Sequence, residues 1–125
     1  MSSSTATQEI VAIICGMPAE FHHRGDISMV ELVAKSGFDD SDGSSLRSAI
    51  EEQLRAHPQL IDDWATYSSD KRSDSGWYFE DRDSPLLGYY DPTIGSSQEQ
   101  VFSDRARACT EFIIRELKAI RSSTA

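Results

Sequence analysis

Seven of the eleven aromatic residues of this chain fall between Trp64 and Tyr90, so a folded core has to be assembled around that stretch. Seven buried rings at about 200 Å² each and about 25 cal/mol per Å² give a gross upper bound on the order of 35 kcal/mol, a large share of one domain's hydrophobic term. The same region, from Asp62 to Asp91, carries eight Asp or Glu against three Lys or Arg. One segment therefore supplies both the apolar material of a core and the charge of a candidate surface.

The local pattern sorts these residues. Trp77-Tyr78-Phe79-Glu80, the turn-rich Asp81-Arg82-Asp83-Ser84-Pro85 and Leu86-Leu87-Gly88-Tyr89-Tyr90 read as a β-hairpin, because aromatic and aliphatic runs flank a cluster of turn residues. Strand side chains alternate, so Trp77 and Phe79 share one face, Tyr78 and Glu80 the other, and Tyr89 and Tyr90 point oppositely. The expectation is that Trp77 and Phe79 meet Trp64 and the C-terminal helix, leaving Tyr78 and one of Tyr89 or Tyr90 exposed. A third strand is expected over Glu99 to Phe102.

Elsewhere the spacing is helical. Thr5 and Gln8 resemble a capping box, and Gly16 with Pro18 would stop a helix over Gln8 to Cys15, although a strand over Ile10 to Cys15 fits the same residues. Asp26 is placed to cap a helix from Ile27 to Ser36, ended by Gly37, with Ile27, Val30, Val33 and Ala34 as its stripe. Leu46, Ile50 and Leu54 mark a second amphipathic helix, and His57-Pro58 break it to begin a third on Leu60, Ile61, Trp64 and Tyr67, ending near Ser68 to Asp70. Ala106, Cys109, Ile113, Leu117 and Ile120, with Phe112, define a long C-terminal helix capped by Ser103 or Asp104. N-terminal helices, a small antiparallel sheet of two or three strands and a C-terminal amphipathic helix make an α+β fold.

At 125 residues the chain is one domain, read as 8–120 between Ser/Thr/Ala-rich tails at 1–7 and 121–125. No window approaches the roughly 18 to 20 apolar residues that span a bilayer, and no basic segment precedes the short apolar run Ile10 to Cys15. Cys15 and Cys109 sit among aliphatic residues, which reads as a pair of reduced, buried thiols in a cytoplasmic protein, a disulfide being the less economical alternative. The net charge of −9 is uneven: residues 1–100 hold eighteen acids and seven bases, residues 101–125 three acids and five bases. Such a body repels nucleic-acid backbones and anionic lipid, so neither is an expected partner, whereas a basic protein would be steered toward it.

The motifs that carry chemistry do not assemble. Setting Gly43 at the turn position of a calcium loop puts Phe38 and Ala49 where carboxylates are needed, so the acidic loop 38–45 is read as solvated, with Asp42 or Ser44 as a cap. His22 and His23 are adjacent, point in different directions in regular structure and lack a second spaced pair, so no metal is expected. The chain holds no G-x-S-x-G elbow, no G-x-x-x-x-G-K-[ST] and no G-x-G-x-x-G. Asp62 and Asp63 on a helix, and Asp81 and Asp83 at the hairpin turn, are paired carboxylates of the kind acid-base catalysis uses, but they read by default as solvated surface acids.

No catalytic residue and no cofactor is therefore assigned. The expected activity is binding of a basic protein partner through Asp74, Tyr78, Glu80, Asp81, Asp83, Tyr89 and Tyr90, tyrosines within an acidic rim being common interface anchors. In overall character such a small acidic domain is similar to toxin-neutralising immunity proteins, a likeness of class that carries no residue assignments. Two alternatives stand beside it. One is a small enzyme or ligand-binding domain with an aromatic pocket between sheet and helices, Trp77, Tyr89 or Tyr90 stacking on the ligand. The other is a homodimer joined through the hairpin edge.

Overall fold

A computed structural model describes residues 5–19, 31, 43–71 and 76–123. Apart from Glu31, the anticipated helix over Ile27 to Ser36 lies outside the described residues, as do the His22-His23 pair, Asp74 and most of the acidic loop 38–45. Helix α1 spans Thr5–Cys15, α2 Gly43–Ala56, α3 Gln59–Lys71 and α4 Arg105–Ser123. Strands β1 (Gly76–Glu80), β2 (Leu86–Asp91) and β3 (Gly95–Val101) form an antiparallel sheet in the order β1-β2-β3. The fold is α+β.

Helices α2, α3 and α4 form where the apolar spacing places them. In α2 the stripe Leu46, Ile50 and Leu54 is fully buried, while Arg55 on the opposite side pairs with Glu51 one turn earlier, at 2.6 Å. Pro58 separates α2 from α3, and its carbonyl accepts the Ile61 N–H at 3.0 Å, so the ring sits in the first turn, where its missing donor costs nothing. Asp104 caps α4: its carboxylate accepts the Ala106 N–H at 3.0 Å and its carbonyl accepts the Ala108 N–H at 3.0 Å. For the first segment, helix prevails over strand. The outer helix ends extend past the sequence boundaries, α1 starting at Thr5 and α4 running to Ser123.

The core is the predicted aromatic assembly. Trp64 of α3 lies edge-on to Phe112 of α4 at 6.0 Å between centroids, and Phe79 of β1 stacks on Phe112, also at 6.0 Å. Leu87, Ile113, Leu117, Leu46, Ile50, Leu54 and Ile14 complete it. Helices α3 and α4 cover one face of β1 and β2, α2 packs on α4, and α1 on α2. Among the described residues no helix is long and apolar enough to cross a membrane.

Two expectations about the sheet need correction. The third strand is longer and earlier than 99–102, and it bulges: Leu87 pairs with Gln100 and Tyr89 with Ser97, so Gln98 and Glu99 together oppose Gly88. Gln98 takes the left-handed conformation (φ 53°) that lets one extra residue fit. The second correction concerns Tyr78, which was expected to be exposed and is only 1% so. Alternation does put it opposite Trp77 and Phe79, but its ring crosses β2 at Gly88, its cross-strand partner, and its hydroxyl donates to Glu99 Oε2 at 2.7 Å. The missing side chain at Gly88 gives the ring its berth, and the bulge brings the carboxylate to its hydroxyl.

Candidate functional site

Helix α3 supplies one wall of a cleft. Its inward face is Ile61, Trp64 and Ser68, all buried, so Asp62, Ala65, Thr66 and Ser69 turn toward a different side. Across from them stands the end of β1, and between the two walls lies a cleft of about 330 Å³ lined by Asp62, Ala65, Thr66, Ser68, Ser69, Phe79, Glu80 and Asp81. Three carboxylates thus border the cleft, with Phe79 among the residues that line it.

Arg105, the first residue of α4, joins the two walls. Its Nε donates to Asp81 Oδ1 at 3.1 Å, and its Nη2 donates both to Asp81 Oδ2 and to Asp62 Oδ1, the latter at 2.8 Å. The Asp81 arm is forked and partly buried, the Asp62 arm single and open, with the Asp62 side chain 68% exposed against 19% for Asp81. Arg105 has its pKa held above its already high value, first by the hydrogen bond to Asp81 and also by that to Asp62. Beside this network Arg82 pairs with Glu80 at 3.3 Å and folds back to donate to the Ser84 carbonyl at 3.2 Å.

Two hydroxyls of the cleft, those of Thr66 and Ser68, serve the backbone. Thr66 Oγ1 donates to the Asp62 carbonyl at 3.0 Å, one turn back on α3, and Ser68 Oγ accepts the Phe79 N–H at 2.7 Å, fixing α3 to β1. Among the described residues no three His, Cys, Asp or Glu side chains are grouped to hold a metal. Cys15 and Cys109 are buried free thiols; burial pushes Cys15 up to about 12 and Cys109 well up, so neither is an activated nucleophile.

The residues nominated from the sequence separate. Asp83 is exposed at the hairpin turn, and Glu80 and Asp81 line the cleft, each tied to an arginine. Tyr89 is half-buried on the inner face, edge-on to Trp77 at 5.2 Å, and Arg115 lies over Trp77 at 4.9 Å. Tyr90 is half-buried on the outer face, and Tyr78 is enclosed. The sequence reading missed Arg105 and left Asp62 among the solvated surface acids, since they stand 43 positions apart with no local spacing to connect them. The chain matches no protein-family model, no curated protein and no solved structure.

Proposed function

We propose that this chain is a non-enzymatic binding domain that receives a basic protein partner at the end of the sheet, where α3 meets the β1–β2 turn. The observation that carries the reading is the cleft itself, bordered by Asp62, Glu80 and Asp81, with Asp83 exposed on the turn beside it. The Thr66 and Ser68 hydroxyls are engaged with the backbone, which favours recognition over chemistry. A net charge of −9 adds long-range attraction for a cationic partner. The surface differs from the one nominated in the sequence: Asp62, Glu80, Asp81 and Asp83 belong to it, and Tyr78 does not.

The alternative of a ligand pocket walled by Trp77, Tyr89 and Tyr90 draws no support from this cleft, whose only aromatic is Phe79. The test is affinity capture from the source lysate at low and high salt, comparing the unaltered chain with Asp62→Asn/Asp83→Asn and with Glu52→Gln, an exposed acid on α2. The reading requires one basic protein held at low salt by the unaltered chain and Glu52→Gln but lost by the double variant. If all three chains capture the same proteins, the cleft has no part in binding and the reading is abandoned.

A further inference from the structure

We propose that the solvent side of α4 is a second docking surface, and that its occupant is a short acidic segment of a partner protein. What α4 leaves to solvent is narrow: between Arg105 and Ile120 only Arg107, Lys118 and Ala119 are exposed, with Glu111 and Arg115 half-buried beside them. At α-helical pitch Arg107, Glu111 and Lys118 fall within about 40° of one another and Arg115 about 80° from Arg107, so the four share one side over about 16 Å. That side is cationic. Glu111 is held by Arg47 of α2 at 2.7 Å, which offsets its charge and leaves Arg107, Arg115 and Lys118.

Cations without partners stand out in a chain whose acids outnumber its bases 21 to 12. Among the described residues, Arg47, Arg55, Arg82 and Arg105 each hold a carboxylate, whereas Arg107, Arg115 and Lys118 hold none. Arg115 is instead laid over the Trp77 ring at 4.9 Å, which orients the guanidinium and leaves its donors without a carboxylate. The surface is separate from the cleft: Arg105, which serves Asp81 and Asp62, lies about 160° around α4 from Arg107.

Charge complementarity selects an anion, and the length of the stripe selects a short one. About five extended residues or eleven helical ones span 16 Å, so a run of Asp and Glu can meet all three cations and end where they end. A nucleic acid continues past the stripe into the field of a chain carrying −9, which repels its phosphates. It also lacks a stacking platform there, because Trp77, the ring beside the stripe, has one face under Arg115 and Tyr89 edge-on against it. Carboxylates suit the forked donors of the two arginines.

The experiment is an NMR titration of the full 15N-labelled chain at low and high salt with hexaglutamate, hexaglutamine and a hexathymidylate oligonucleotide, a method that measures weak binding and locates it. Two variants are compared with the unaltered chain: Arg107→Gln/Lys118→Gln, which removes two exposed cations that hold no partner, and Ser96→Glu/Gln100→Glu, which makes the same charge change on exposed positions of β3. The proposal requires hexaglutamate to bind the unaltered chain at low salt more tightly than the other two probes, shifting the Arg107 amide and the Arg115 Nε–Hε signal. It also requires the α4 variant to lose at least about threefold more affinity than the β3 variant. Equal losses in the two variants, shifts confined to other elements, or no binding of hexaglutamate overturns it. Tighter binding of the oligonucleotide overturns the choice of occupant. Should the α4 variant fail to fold, the location of the shifts in the unaltered chain decides. None of these variants touches the carboxylates of the cleft, so the result leaves the preceding functional reading to its own test.

Discussion

Gly88 has no room for a side chain, since a Cβ there would stand 2.6 Å from the Tyr78 hydroxyl oxygen and 2.7 Å from its Cζ. The ring cannot swing aside without giving up Glu99, so Gly88→Ala is expected to destabilise the domain by about 1 to 3 kcal/mol in urea unfolding. Tyr78→Phe keeps the ring and loses the hydrogen bond to Glu99, an expected cost of about 1 kcal/mol that rehydration of Glu99 partly offsets. Alternation in the sequence assigned Tyr78 to the correct face. It did not assign its burial, because a strand pattern records direction and says nothing of what the neighbouring strand brings. The partner is Gly88, ten positions away, and the acceptor Glu99 reaches it only through a bulge.

At the scale of the elements, the start of α4 rests on the side chain of Asp104. Asp104 caps the helix and also pairs with Arg55 of α2. Partial burial raises its pKa, yet the Arg55 hydrogen bond, the Ala106 and Arg107 backbone groups and the Arg55 charge together hold it below its ordinary value. A depressed carboxyl stabilises the fold above the unfolded value of about 3.9, and that contribution is lost as pH falls through the lowered value. Asp104→Asn, which retains a capping oxygen but not the charge, should therefore flatten the acid side of the Tm–pH profile. Asp104→Ala should in addition cost about 1 kcal/mol at neutral pH. In β3, Gln98→Gly relieves a left-handed non-glycine residue, and a gain of about 0.5 kcal/mol in unfolding free energy is expected. The cap was legible in the sequence because capping is local; the bulge was not, because Gln98 carries no glycine signal.

For the molecule as a whole, the alkaline limb of stability is set by groups buried in their protonated forms. Burial pushes Cys15 up to about 12 and Cys109 well up, and burial followed by the charge of Glu116 raises Tyr67. Groups with raised folded values stabilise fully below their unfolded values, about 8.5 for Cys and 10 for Tyr, and lose that contribution as pH climbs through the folded ones. Unfolding free energy should thus fall steadily above about pH 9, and Cys15→Ala/Cys109→Ala should show a shallower slope there whatever its neutral stability. A thiol reagent at neutral pH should label neither cysteine until denaturant opens the core.

The α+β class, the stripes of α2, α3 and α4, the hairpin and the aromatic core were determined by the sequence itself, since each rests on period, capping and turn chemistry within a few residues. The cleft was decided by tertiary structure alone. Asp62, Asp81 and Arg105 come from two helices and the end of a strand, and only the packing of α3 and α4 against β1 brings their charges together. The same packing divides the nominated surface, enclosing Tyr78 and laying Tyr89 against Trp77. Periodicity fixes which way a side chain points, and the rest depends on what another element places there.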